Sequence, residues 1–323
     1  MMWSWRDVPF DWYDAYQGNR PLLAARSWHY QLDGPDPVNG INIARMATVD
    51  ADVLVTDFAK GKGKIPFTRD EVARLKTNPD GRRRLAISYM SIGEAEQYRF
   101  YFDPAWKTAP PPWLGPENCS WPQAHKVRFW MDAWKDIVFR GPQSYLRRII
   151  DAGFDGVYLD RVDIFEQWRR ERPSARSDMI SFVIELAETA KRLKPGFFVL
   201  PQNADDLLGD RTYRKAIDGL GREDLLYGAS ATGQRNRDAD IAHGQARMAL
   251  LRWSWKPVFA VEYLQTPRAI ERARHELRGL GYVPTIQPRA LDGTDPAKPA
   301  VALDKDTGTA EYTASKCTKD NSW

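Results

Sequence analysis

Apolar residues along this chain fall into short runs of strand length. Between them lie longer stretches in which apolar positions recur every three or four residues. Eight such runs can be marked, at 28–32, 53–58, 85–92, 156–159, 197–201, 216–220, 257–261 and 282–286. Most are β-branched or aromatic, the composition expected of buried strands. The run Ala216-Ile217-Asp218-Gly219-Leu220 is the least apolar of them.

The intervening segments carry helix signals. Thr68-Arg69-Asp70-Glu71 is a capping box that leads into Val72 and Leu75. Tyr145, Leu146, Ile149 and Ile150 make an apolar stripe that stops at Gly153, a natural position for a left-handed helix end. Met179, Phe182, Val183, Leu186, Ala190 and Leu193 repeat at three and four, and Pro195-Gly196 terminates them. Thr266-Pro267 reads as an N-cap with proline in the first turn, and Ala269, Ile270, Ala273, Leu277 and Leu280 form the buried face behind it.

Strands alternating with helices imply an α/β fold with a mainly parallel sheet. Eight strands over most of the chain predict a single (β/α)8 TIM-like barrel. The expected organisation is an N-terminal extension over 1–24, the barrel over 25–292, and a disordered tail over 293–323. A Trp- and Pro-rich insertion over 100–135 is expected after the third strand. The alternative is an open doubly wound sheet. No GxGxxG or P-loop follows any strand, which removes the usual nucleotide reading of that alternative.

Composition adds exclusions. The chain has 323 residues, with 43% hydrophobic and 28% charged residues, ordinary values for a globular protein. No apolar run is long enough for a membrane span. The formal net charge of +4 gives no reason to invoke nucleic acid. Arg82-Arg83-Arg84 is the densest basic run and reads as a solvated loop, with a phosphate-binding patch as the alternative. Cys119 and Cys317 form neither a CxxC motif nor a zinc spacing. The first residues lack the basic region and apolar stretch of a signal peptide. Aromatic residues make up 12% of the chain, many in polar, Pro-rich stretches, which suggests flat platforms as well as core.

The chemical signal is where the acids fall. Asp57, Glu94, Asp160, Glu223 and Glu262 each follow or close an apolar run, as does the pair Gln202-Asn203. In a parallel barrel those are the ends that carry the active site. One acid there can be a helix cap, and Asp57 could equally pair with Arg69 or Lys60. Five together predict an acid-lined pocket. Such a pocket serves a metal or acid–base chemistry. His29, His125, His243 and His275 have no ligand spacing and read as surface or packing residues, although Asp160 and Asp163 could hold a hard cation. No metal or cofactor is expected. There is no GxSxG nucleophile elbow, and neither cysteine lies near a strand end. Two carboxylates remain as the expected catalytic pair, the arrangement that glycoside hydrolysis uses.

At these residues the chain resembles glycoside hydrolase family 114, the endo-α-1,4-polygalactosaminidases and related proteins. The resemblance rests on Trp28-His29-Tyr30-Gln31-Leu32, Ser91-Ile92-Gly93-Glu94-Ala95-Glu96-Gln97-Tyr98-Arg99 and Trp113-Leu114-Gly115-Pro116-Glu117-Asn118. Phe154-Asp155-Gly156-Val157-Tyr158-Leu159-Asp160, Pro201-Gln202-Asn203, Gly221-Arg222-Glu223-Asp224 and Pro288-Arg289-Ala290-Leu291-Asp292 follow in order. It implies a TIM-like barrel that hydrolyses α-1,4-linked galactosamine polymers, with Asp160 and Glu223 as the catalytic pair. The role assignment expected here is Asp160 as nucleophile and Glu223 as general acid/base in a retaining mechanism. The resemblance also implies a polysaccharide substrate and an extracellular or periplasmic protein.

Weaker expectations follow. Tyr30, Asp57, Glu94, Tyr158, Gln202, Asn203, Tyr227 and Glu262 would line the sugar site. Tyr98 and Arg99 read equally as structural. Trp106, Trp113, Trp121 and Trp130 would offer stacking faces, with packing against the rim as the alternative. A deacetylated galactosamine polymer is cationic, and acids at the strand tips would attract it. The chain departs from the family where Trp121-Pro122-Gln123-Ala124 stands in place of the common Trp-Pro-Gly-Asn. Other readings are a glycosidase for another α-galactose-type glycan and a barrel that binds carbohydrate without cleaving it.

Overall fold

The computed structural model describes residues 20–34, 40–252 and 254–294. Most of the expected extension and tail, with Cys317, therefore lies outside the described residues. Eight strands run parallel: β1 Trp28–Gln31, β2 Val53–Thr56, β3 Leu85–Ser91, β4 Gly156–Asp160, β5 Phe198–Pro201, β6 Leu220–Glu223, β7 Val258–Glu262 and β8 Val283–Ile286. The first five pair in chain order as one sheet and the last three as another. A parallel bridge between Gln202 and Gly221 joins β5 to β6. On the other side, the Trp28 indole donates to the Val283 carbonyl at 2.9 Å. The chain is thus α/β with its strands in sequential parallel order.

Period-two alternation sorts the strand side chains into two layers. Trp28, Tyr30, Val53, Val55, Leu85, Ile87, Tyr89, Tyr158, Phe198, Leu200, Phe259, Val261, Tyr263 and Val283 meet in one buried cluster fed by both sheets. Their neighbours Leu54, Ala86, Met90, Val157, Leu159, Val199 and Ala260 face the other way and pack under the helices. Near the amino end of β1, Leu22 is fully buried in the inner cluster. Each large apolar side chain buried this way contributes about 1.5–3 kcal/mol.

The helices follow the sequence signals. Helix α1 (Ile43–Ala47) precedes β2, and α2 (Arg69–Leu75) opens with the Thr68–Glu71 capping box fully formed. Helix α3 (Tyr145–Ala152) ends on Gly153 at φ 100°, a left-handed turn that glycine adopts without strain. Helix α4 (Ala175–Leu193) buries the predicted three-four stripe. Helices α5 (Arg211–Ala216), α6 (Asp238–Arg252) and α7 (Pro267–Gly279) complete the layer. Between β3 and β4 the chain builds a small antiparallel sheet from Glu94–Glu96, Ala124–Val127 and Leu114–Glu117.

Two expectations are corrected. The sixth strand is Leu220–Glu223, not 216–220, because Ala216 closes α5. The strand was hard to see because Leu220 is its only large apolar residue. Its Arg222 turns outward to Asp205 at 3.3 Å, while Gly221 and Glu223 face inward. Nor is Arg84 part of a solvated loop. It is 1% exposed and donates to the carbonyls of Met46, Val49 and Leu75. One guanidinium thereby satisfies the last-turn carbonyls of both α1 and α2, groups that helices leave unpaired.

Candidate active site

The inner face of the strands continues past the apolar cluster. Asp160 lies two residues beyond Tyr158 on β4, Glu223 two beyond Gly221 on β6, and Gln202 two beyond Leu200 on β5. Alternation therefore carries all three polar groups onto the same inward face at the carboxyl ends of the strands. Each is followed by a non-glycine residue in the left-handed region: Arg161 at φ 59°, Asn203 at φ 57° and Asp224 at φ 50°. Such conformations cost about 1–3 kcal/mol each and cluster at functional sites. Here the reversal lets the Arg161 amide donate back to Asp160 Oδ1 at 2.7 Å.

Each carboxyl is held by its own tyrosine. The Tyr89 hydroxyl donates to Asp160 Oδ2 at 2.6 Å. The Tyr263 hydroxyl donates to Glu223 Oε1. Glu223 Oε2 also accepts from Gln202 Nε2 and, at 3.2 Å, from Asn203 Nδ2. Asn203 Oδ1 in turn accepts from the Glu223 amide at 3.0 Å, so this side chain grips both backbone and carboxylate. Tyr30 completes the set by donating to Gln202 Oε1 at 3.1 Å.

Electrostatics couples the pair. Burial, and then the charge of Glu223, pushes the Asp160 carboxyl up to about 7, against the Tyr89 hydrogen bond that lowers it. Burial also raises Glu223, while the hydrogen bonds from Tyr263 and Asn203 oppose the rise. Two buried carboxyls of which one readily holds a proton are the equipment of acid–base and nucleophilic chemistry.

The predicted residues divide by position. Asp160, Glu223, Tyr30, Gln202 and Asn203 come together, with Tyr158 beneath them. The Tyr158 hydroxyl is buried without a hydrogen-bond partner among the described residues, and its ring fills the space over Gly221. Asp57 instead accepts from the fully buried Arg99 at 2.6 Å, and Arg99 also pairs with Glu96 at 2.5 Å. This ion-paired unit packs beside Tyr89, whose ring centroid lies 6.0 Å from the guanidinium. Glu94 accepts from Arg161 at 2.9 Å and Asn118 at 2.8 Å, linking the antiparallel sheet to the end of β4.

Glu262 and Tyr227 lie elsewhere. Glu262 points into the outer layer and accepts from the amides of Leu226 at 2.8 Å and Tyr227 at 3.1 Å. Burial raises it to about 8. Tyr227 carries the Arg235 guanidinium over its ring at 5.6 Å. Trp113 is buried between Trp106 and Trp134, both at 5.0 Å. Trp106 and Trp130 are half-buried against the core, and Trp121 is 62% exposed. Sequence reasoning passed over Tyr89, Tyr263 and Arg289. Tyr263 had a signal: it stands one position after Glu262, so it takes the inward face that Glu262 leaves. Arg289 pairs with Asp224 at 2.9 Å.

Among the described residues, no group of three His, Cys, Asp or Glu is placed to hold a metal ion. No described helix is long and apolar enough to cross a membrane. A cavity of about 470 Å³ lined by Glu166, Arg169, Arg176, Asp206 and Arg247 lies apart from the paired carboxyls, none of which reaches it.

Comparison with known proteins places the chain. The family model described as glycoside-hydrolase family GH114 matches residues 14–300. An uncharacterized protein of Deinococcus radiodurans is 32% identical over 276 residues, covering 84% of this chain and 83% of that protein. One of Thermotoga maritima is 38% identical over 207 residues, covering 62% of this chain and 60% of its own length. Among solved structures, the glycoside hydrolase domain of PelA from Pseudomonas aeruginosa aligns with a TM-score of 0.62 at 20% identity, covering 83% of this chain and 97% of that domain. That likeness concerns the fold.

Proposed function

The chain belongs to glycoside-hydrolase family GH114, and from that premise we propose that it cleaves α-1,4-linked, galactosamine-containing polysaccharide. The reaction is endo-acting and uses two carboxyls. The observation that carries this reading is the coupling of Asp160 and Glu223 on one inward face, each with a tyrosine hydroxyl on one oxygen. The sequential order of eight parallel strands supports a single (β/α)8 barrel over 25–292 as its scaffold.

In the proposed mechanism Asp160 attacks the anomeric carbon and Glu223 protonates the leaving oxygen, then activates water to release the product. The positive charge that develops at the sugar stabilises ionised Asp160 as the reaction proceeds. Gln202, Asn203 and Tyr30 hold Glu223 in place. Trp121, exposed in the turn that joins two strands of the antiparallel sheet, is proposed as a stacking face for a further sugar.

One observation favours the exchanged roles. Three side-chain donors converge on Glu223, which suits an ionised nucleophile, while Asp160 is raised to about 7, which suits an acid. Azide rescue separates the two assignments. If Asp160 is the nucleophile, Asp160→Gly with azide yields the β-glycosyl azide and Glu223→Ala the α-anomer; exchanged roles reverse these products.

A reducing-end assay on deacetylated galactosaminogalactan, run beside a neutral α-galactan, tests the substrate. Release from the amino-sugar polymer supports the reading. Release from the neutral glycan alone supports another α-galactosidase activity, and binding without release supports a non-catalytic barrel.

A further inference from the structure

The residues behind Tyr263 form a closed circuit around Glu223 that the proposed chemistry leaves unused. Tyr263 is 4% exposed and donates its hydroxyl to Glu223 Oε1. The Arg289 guanidinium lies over the Tyr263 ring, 4.3 Å from its centroid. The same guanidinium donates from Nη2 to both oxygens of Asp224, at 2.9 and 3.1 Å. Asp224 follows Glu223 directly and holds the left-handed conformation, at φ 50°, that ends β6. The circuit therefore joins three strand ends: Glu223 and Asp224 at β6, Tyr263 after β7, and Arg289 in the loop after β8.

We propose that Arg289 is a positioning residue for Glu223, acting through the Tyr263 hydroxyl and the Asp224 turn. The inference rests on the reading of Glu223 as one of the catalytic carboxyls. A cation over an aromatic face is attracted to the ring and draws charge from it, which makes the phenol a better donor. The ion pair with Asp224 does two further things. It pins the backbone turn beside Glu223, and it neutralises the carboxylate that would otherwise raise Glu223 by repulsion.

The charged and titratable groups around Glu223 are few enough to sign the effect. Tyr30, Tyr158 and Asp160 face it from β1 and β4, Tyr263 from the end of β7, Asp224 from its own turn, and Arg289 from the loop after β8. Of these, Tyr263 by hydrogen bonding and Arg289 by charge hold Glu223 down, while Asp224 raises it. Losing Arg289 removes one restraint, weakens the second and frees the opposing charge. All three changes raise the Glu223 pKa.

The experiment is a ¹³C carboxyl NMR titration of Glu223 in the intact chain, wild type against Arg289→Met, Arg289→Lys and Tyr263→Phe. It needs no substrate. Arg289 is half-exposed, so Arg289→Met is expected to fold even if Tyr263→Phe does not. The expected result is an upward shift of about one unit in Arg289→Met and in Tyr263→Phe, with Arg289→Lys in between. An unchanged Glu223 titration in a folded Arg289→Met protein overturns the proposal, as does a shift that Arg289→Lys fails to reduce. Failure of the polymer to be cleaved would sink the substrate reading alone, because the titration is read without it.

Discussion

The space that a side chain at position 221 would need is filled by Tyr158. A Cβ built on Gly221 would sit 1.9 Å from the Tyr158 hydroxyl oxygen and 2.3 Å from Cζ. Glycine here lets β6 pass close over an aromatic ring of β4, bringing the strands that carry Glu223 and Asp160 together. Gly221→Ala should therefore lower stability by about 1–3 kcal/mol through overpacking. Tyr158→Phe should be near neutral, since its hydroxyl has no partner to lose among the described residues. Thermal melts of the two variants check this; an unchanged Gly221→Ala melting temperature would contradict it.

Asp160 should weaken the fold at neutral pH. Its carboxyl is raised from 3.8 to about 7 in the folded protein. Below 3.8 it is protonated in both states and folding loses nothing. Between 3.8 and 7 only the unfolded state releases the proton, so stability falls across that window and the loss is complete once pH passes 7 and the folded state carries the buried charge. Asp160→Asn should thus melt near wild type at pH 4 and above it at pH 8, by an amount on the order of a few kcal/mol. Parallel melting curves across this range would show that Asp160 is not held protonated by folding.

Tyr89 is predicted to set the acid limb of activity. Its 2.6 Å hydrogen bond favours ionised Asp160. Tyr89→Phe should move the lower limb of the kcat/KM profile to higher pH and reduce the rate at pH 7 by about tenfold. A limb that stays in place while the melting temperature falls would assign Tyr89 a purely structural role.

Gln123 stands where the resemblance to the family implies a glycine. It holds φ 71°, a left-handed conformation that glycine adopts freely and other residues adopt at a cost. The backbone here thus takes a shape that glycine would hold without strain. Its amide donates to Glu117 at 2.6 Å, which helps to hold the turn. Gln123→Gly should raise stability by about 1 kcal/mol, read from denaturant midpoints. A lower midpoint would mean that the side chain contributes more than the strain costs.

The strands were legible wherever burial on both faces demanded an apolar run, as at Leu85–Ser91 and Gly156–Asp160. They were obscure at β6, where the inward positions are given to glycine and glutamate. Strand-end acids could be located from the sequence, but their facing could not. One residue of register separates Glu262, which anchors the loop at 226–227, from Tyr263, which meets Glu223. Counting alternation inward from Phe259 and Val261 would have chosen Tyr263. Partners distant in sequence were also out of reach: Asp57 lies near Lys60 and Arg69 in the chain, yet pairs with Arg99. The Trp-rich stretch shows the same limit, for Trp113 is core and Trp121 is surface although both lie among polar and Pro-rich residues.

The most direct test of the two-carboxyl account is turnover of an α-1,4-galactosamine polymer by Asp160→Asn and Glu223→Gln beside wild type, followed as new reducing ends. Both substitutions preserve shape, so melting temperatures can confirm that the fold persists. The account predicts that each variant falls by roughly a thousandfold or more. Either variant working within about tenfold of wild type would contradict it.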